Sequence, residues 1–151
     1  MKSYRSITVL AGLVCIIIFS TGCGEKKKPD FAAIQLTCST DFPKINENVT
    51  TYLRVENVGK AGGHGQVAIY VIDRTDGSYL LKVEKNVNLN SGEQTRLEGT
   101  WHATHPCSVY VEGKAQANDD ANPNNGKIVK TYDIGCMSSP VVFHFSHPYL
   151  R

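Results

Sequence analysis

From residue 34 to residue 134 the chain alternates hydrophobic and polar positions with a period of two, and no stretch there sustains a helical period. Val49, Thr51, Leu53 and Val55 fall on one face, with Thr50, Tyr52, Arg54 and Glu56 on the other. Residues 66–72 are apolar on both faces, which predicts a central strand. Asp76-Gly77 and Asn90-Ser91-Gly92 mark turns on either side of a strand over residues 79–89, where Lys85 breaks the alternation and predicts an edge or a bulge. Thr95, Leu97, Gly99 and Trp101 share one parity, as do Cys107, Val109, Val111, Gly113 and Ala115. With residues 34–38 in front and 127–134 behind, the pattern predicts seven strands. Short strands at this spacing predict an all-β, immunoglobulin-like antiparallel sandwich over residues 31–136. A hairpin around residues 118–125 matches apolar sets with Val109 opposite Ile134, Val111 opposite Tyr132, Gly113 opposite Lys130 and Ala115 opposite Ile128. The same register sets Cys107 opposite Cys136.

Two segments fall outside this alternation. Lys2 and Arg5 precede an apolar run over residues 7–19, too short for the ~20 residues of a membrane span but suited to a signal core. Ser20-Thr21-Gly22-Cys23 follows and resembles the bacterial lipobox, with Ser20 where Leu is usual. The expectation is a signal peptide over residues 1–22, lipidation of Cys23 and a polar tether over residues 23–30. Two or three acyl chains, at about 0.8 kcal/mol per buried CH₂, would hold the chain to a membrane. That addresses the protein to the cell envelope, and Gly24 resembles the outer-membrane form of the signal where an outer membrane exists. At the other end, Val141, Val142, Phe143 and Phe145 stand in a tail over residues 137–151. They predict an eighth strand on a sheet edge or a strand offered to a partner.

Composition narrows the function classes. Of 151 residues, 41% are hydrophobic and 20% charged. Loss of Lys2 and Arg5 with the signal leaves 14 basic against 14 acidic residues. A neutral chain lacks the basic surface that gives nucleic-acid binders their affinity, so no nucleic acid is expected.

The turns carry a resemblance. Asn57-Val58-Gly59-Lys60-Ala61-Gly62, Asn90-Ser91-Gly92-Glu93, Thr100-Trp101-His102-Ala103, and Asp119-Asp120 with Asn124-Asn125 resemble, in order and spacing, the bacterial cell-adhesion-related domain, the CARDB family. The resemblance spans residues 31–134. It implies an extracellular immunoglobulin-like module, usually one of several and rarely catalytic. This chain departs from the family in having a single module and cysteines, and in lacking an Asn-Glu step before Asn124-Asn125.

Candidate chemistry is sparse. Cys38, Cys107 and Cys136 are disulfide candidates in an exported chain, with Cys107–Cys136 favoured by the hairpin register and Cys38–Cys136 second. Antiparallel order brings all three to one pole. His102, His105 and Cys107 offer Zn or Cu ligand types there, although the spacing meets no strict ligand pattern and exposed turn residues are the plainer reading. Asp119 and Asp120 sit in an oxygen-rich loop that could hold Ca²⁺, against the plainer reading of a turn. The leading expectation is therefore a non-enzymatic, lipid-anchored envelope module without a cofactor, binding a protein or a glycan. The alternative is a metal-binding envelope lipoprotein using the Cys/His cluster.

Overall fold

The structure is a computed structural model, and it describes residues 26–135. Seven strands run in chain order: β1 (Phe31–Cys38), β2 (Asn48–Asn57), β3 (Gly63–Asp73), β4 (Tyr79–Leu89), β5 (Gln94–His102), β6 (Ser108–Ala117) and β7 (Lys127–Asp133). They form two antiparallel sheets, β1-β2-β5 and β4-β3-β6-β7. The expected all-β, immunoglobulin-like sandwich is the fold observed. The apolar run of β3 occupies the interior of the larger sheet, and the irregular β4 is its edge.

Alternation decides which side chains meet between the sheets. Leu53 and Val55 from β2, Ile69 and Val71 from β3, and Val109 and Val111 from β6 are all 0% exposed. Each contributes about 1.5–3 kcal/mol by leaving water. Gly113 shares this inward parity because there is no room for more. A Cβ there would stand 2.6 Å from Leu53 Cδ1 on the facing sheet. Trp101 is buried, and its indole Nε1 donates to Thr51 Oγ1 at 3.0 Å.

The last hairpin corrects the expected register. Val109 faces Tyr132, Val111 faces Lys130 and Gly113 faces Ile128, two residues away from the pairing read from the sequence. The ladder continues to Cys107, whose carbonyl accepts the Ile134 N–H at 2.8 Å. Cys107 is therefore opposite Ile134 and not Cys136. A slip of two keeps every side chain on its own face, so the apolar pattern scores both registers alike. Lys130, at an inward position, stays exposed because β7 is an edge strand, where such a charge discourages pairing with another chain.

Contacts with the body begin at Lys28, before the boundary at residue 31. Lys60 N–H donates to the Lys28 carbonyl, Ala121 N–H to that of Pro29 and Val58 N–H to that of Asp30. Gly59 lets this segment pass, since a Cβ there would lie 2.5 Å from both Lys28 O and Asp30 N. Entry of the chain is thus fixed at the pole holding the β2–β3 turn and the β6–β7 hairpin. The signal segment, Cys23, Cys136 and the tail with its expected eighth strand lie outside the described residues.

Candidate functional site

The outer face of the four-stranded sheet concentrates aromatic and charged side chains. Even-numbered residues of β3 and β6 point outward, and the register stacks them into cross-strand rows. Ile72 stands between Tyr79 and Tyr110, and Tyr110 faces Thr131. In the next row Tyr70 stands between Lys82 and Glu112, and Glu112 faces Val129. In the third, Ala68 stands between Glu84 and Lys114, and Lys114 faces Lys127. Tyr79 is 60% exposed, Tyr110 39% and Val129 45%.

Charge and ring contacts hold this face in shape. The Tyr70 and Tyr79 rings meet edge to face at 5.9 Å between centroids. The Arg74 guanidinium lies 4.6 Å from the Tyr110 centroid and Lys114 Nζ lies 5.2 Å from that of Tyr70. Tyr70 Oη donates to Glu84 Oε1 at 2.5 Å, which pushes the phenol up to about 12. Burial pushes Glu112 up, but hydrogen bonds from Lys114 and Lys127, at 2.7 and 2.6 Å, outweigh it and hold the carboxyl below its ordinary value. On the opposite sheet a shallow groove of about 250 Å³ runs along Gln35, Thr37, Tyr52 and Arg96. It falls below the ~300–1,000 Å³ of ordinary small-molecule pockets.

The residues named from the sequence separate into three places. Cys38 and Cys107 do share a pole and pack against the core, but both are free thiols. His105 and Cys107 come together, and the third member of their group is Asp73, their donor atoms all within 4.8 Å of one another. His102 is not part of it; it faces solvent, with Nδ1 2.9 Å from Asn48 Oδ1. Period two explains the split, because residue 102 has the outward parity of β5. Asp119 and Asp120 lie at the opposite pole. Asp119 accepts from Lys28 Nζ at 2.9 Å. Asp120 caps its own loop, accepting from Ala117 N at 3.0 Å and Asn122 N at 3.0 Å, so its carboxylate serves as turn chemistry.

The alternation marks Asp73 as inward-facing but does not show its partners. It continues the inward parity of Val67, Ile69 and Val71, and a carboxylate at such a position demands a partner. Its Oδ1 accepts from Thr75 N at 2.7 Å, which leads the causes holding its pKa below the ordinary value. Its Oδ2 is 2.8 Å from His105 Nε2. Burial first, and then the neighbouring Asp73 carboxylate, pushes the Cys107 thiol up to about 11. At neutral pH it is a thiol and not a thiolate nucleophile.

No family model matches the chain, and no curated protein sequence matches it. Solved structures do. A crystal structure of a CARDB domain from Pyrococcus furiosus, in complex with di-metal ions, aligns at 18% identity and a TM-score of 0.58, covering 70% of this chain and 88% of that one. The solution structure of a CARDB domain from the same organism aligns at 18% identity and a TM-score of 0.55, covering 70% of this chain and 94% of that one. A β-glucosidase from Erythrobacter marinus aligns at 12% identity and a TM-score of 0.53, but the aligned region covers only 15% of the enzyme chain. Of these three, the two matched over most of their length are CARDB domains, and the enzyme is matched over a small part of its chain. Residues 26–135 have the fold of a CARDB domain.

Proposed function

We propose that this chain is a non-enzymatic, lipid-anchored module of the cell envelope that binds a protein or glycan partner through the outer face of its four-stranded sheet. The observation that carries the reading is the cluster of exposed Tyr79 and Tyr110 with half-buried Tyr70, interleaved with Arg74, Lys82 and Lys114. Tyrosine and arginine are the residue types that dominate binding energy at protein interfaces. Two of these rings carry a cation of the chain's own over one face, which leaves edges and hydroxyls to a partner. That arrangement suits a protein better than a sugar, which would stack on an open ring.

The fold gives the face a place to work from. Lipidation of Cys23 would fix the chain at the entry pole beside Lys28. β3 has 11 residues, about 36 Å at ~3.3 Å per residue, and the Tyr79–Tyr110 row lies at its far end. The likeness to CARDB domains supports a non-catalytic adhesion-type module.

The test uses the Cys23→Ser chain, which is expected to leave the membrane fraction while remaining folded. It should bind the envelope fraction of its source cell saturably. Tyr110→Ala and Tyr79→Ala should each weaken that binding by about 30-fold, equivalent to a hot spot of ~2 kcal/mol. Tyr52→Ala, on the other sheet, should bind as the parent does. Equal binding by all three variants would remove the face from the account.

A further inference from the structure

We infer that Asp73, His105 and Cys107 form a binding site for a single borderline-soft divalent cation of the zinc type, with one coordination position left open. Three different donors converge: a carboxylate oxygen, an imidazole nitrogen and a sulfur, all within 4.8 Å of one another. Sulfur excludes a calcium or magnesium preference, and mixed O, N and S donors in threes are a zinc set.

The carboxylate is built into the fold. Asp73 is 0% exposed, and its backbone N–H donates to Ser78 O while its backbone O accepts from Gly77 N–H, both at 2.9 Å. Oδ1 is committed to Thr75 N. Oδ2 is buried and makes no aligned hydrogen bond, although His105 Nε2 is 2.8 Å away. The other ring nitrogen of His105, Nδ1, is 2.9 Å from Thr104 Oγ1. In the tautomer that places the proton on Nδ1, the Nε2 lone pair and Oδ2 face each other. That contact calls for a positive charge between them, either a proton or a metal ion. A metal-bound histidine donates its far N–H to an oxygen acceptor, the place that Thr104 Oγ1 takes here.

Tetrahedral zinc at 2.0–2.3 Å from its donors holds them about 3.3–3.8 Å apart. Loading therefore parts Asp73 Oδ2 and His105 Nε2, now 2.8 Å apart, by about 0.5 Å, and draws any wider separation in the set, all within 4.8 Å, into that range. His105 stands on the β5–β6 loop with its side chain half exposed, so the movable donor is on the solvent side. The Cys107 S–H proton passes to solvent as sulfur takes the metal; no electron is transferred. Water or a donor from a partner completes the fourth position.

The test is titration of the full chain with Co²⁺, then displacement by Zn²⁺, under a non-chelating reductant at pH 7.5. One equivalent should produce a sulfur-to-cobalt charge-transfer band, and Zn²⁺ should abolish it. His105→Ala lies on an exposed loop and keeps the turn anchored by Asp73. It should weaken binding by at least ~10-fold. Cys107→Ser should remove the charge-transfer band, and His102→Ala should change neither. Unchanged melting of the metal-free variants shows that they remain folded. Absence of a saturable one-equivalent band, or a band that survives Cys107→Ser, or affinity unchanged by His105→Ala, overturns the site.

Discussion

Asn57→Ala is expected to destabilise the domain by about 2–4 kcal/mol, a large share of the 5–15 kcal/mol that holds a domain of this size together. Asn57 is 0% exposed, and all four of its side-chain hydrogen bonds are made. Nδ2 donates to Ala61 O at 2.8 Å and to Leu89 O at 3.0 Å. Oδ1 accepts from Asp30 N at 3.0 Å and from Gly59 N at 3.1 Å. One side chain thereby ties the entering segment, the β2–β3 turn and the end of β4. Alanine would leave two carbonyls and two amides unpaired in and around the core. Asn57→Asp separates donor from acceptor. It keeps the acceptor but turns a carboxylate oxygen toward Ala61 O and Leu89 O. Burial against two carbonyls raises the folded carboxyl above its unfolded value, so the penalty should shrink as the pH falls toward about 4, where protonation restores one donor. Urea unfolding at pH 7 and pH 3.5 measures both effects. An Asn57→Asp chain as stable as the parent at pH 7 would mean that Nδ2 supports nothing.

Trp101→Ala should cost about 3–5 kcal/mol, and Trp101→Phe about 1–2 kcal/mol. The indole fills the space between the sheets at the pole of the two thiols and is 2% exposed. It also starts a buried polar chain, from Nε1 to Thr51 Oγ1 at 3.0 Å and from there to Cys38 Sγ at 3.3 Å. Thr51 is itself 0% exposed, so removal of the indole leaves its hydroxyl with the weak Cys38 sulfur as partner, as well as opening a cavity. Phenylalanine keeps most of the volume and loses the donor. Trp101 is the single tryptophan, so its emission reports this site alone. The native spectrum should be that of a buried indole and should move to the exposed position in the same urea range as the loss of β-structure. A native spectrum already at the exposed position would contradict the packing.

Period two made the sandwich legible, and the bounds of β4 coincide with the alternation. The failures have local causes. β1 begins at Phe31 and not at Ile34 because a bulge between Ala33 and Gln35 shifts the inward parity from Phe31 and Ala33 to Leu36. Ile34 is left 40% exposed, and the alternation dissolves at that residue. β3 starts at Gly63, inside a glycine-rich run whose composition reads as a break. Of the polar cluster, His105 and Cys107 were visible as neighbours in the chain. Asp73 required the strand order, since only the pairing of β3 with β6 brings residue 73 to Val109. The tyrosine face was hidden for the same reason. Tyr70 and Tyr79 flank one turn, but Tyr110 is distant in sequence and joins their face only once the pairing of β3 with β6 is known.

The central claim is that the outer face of the four-stranded sheet meets a partner in the envelope. A photoreactive phenylalanine analogue at position 79, in the full chain expressed in its own cell, tests it most directly. The account predicts a discrete crosslinked species from position 79 and none from position 54, on the outer face of the other sheet. Crosslinking from position 54 with none from position 79 would contradict it.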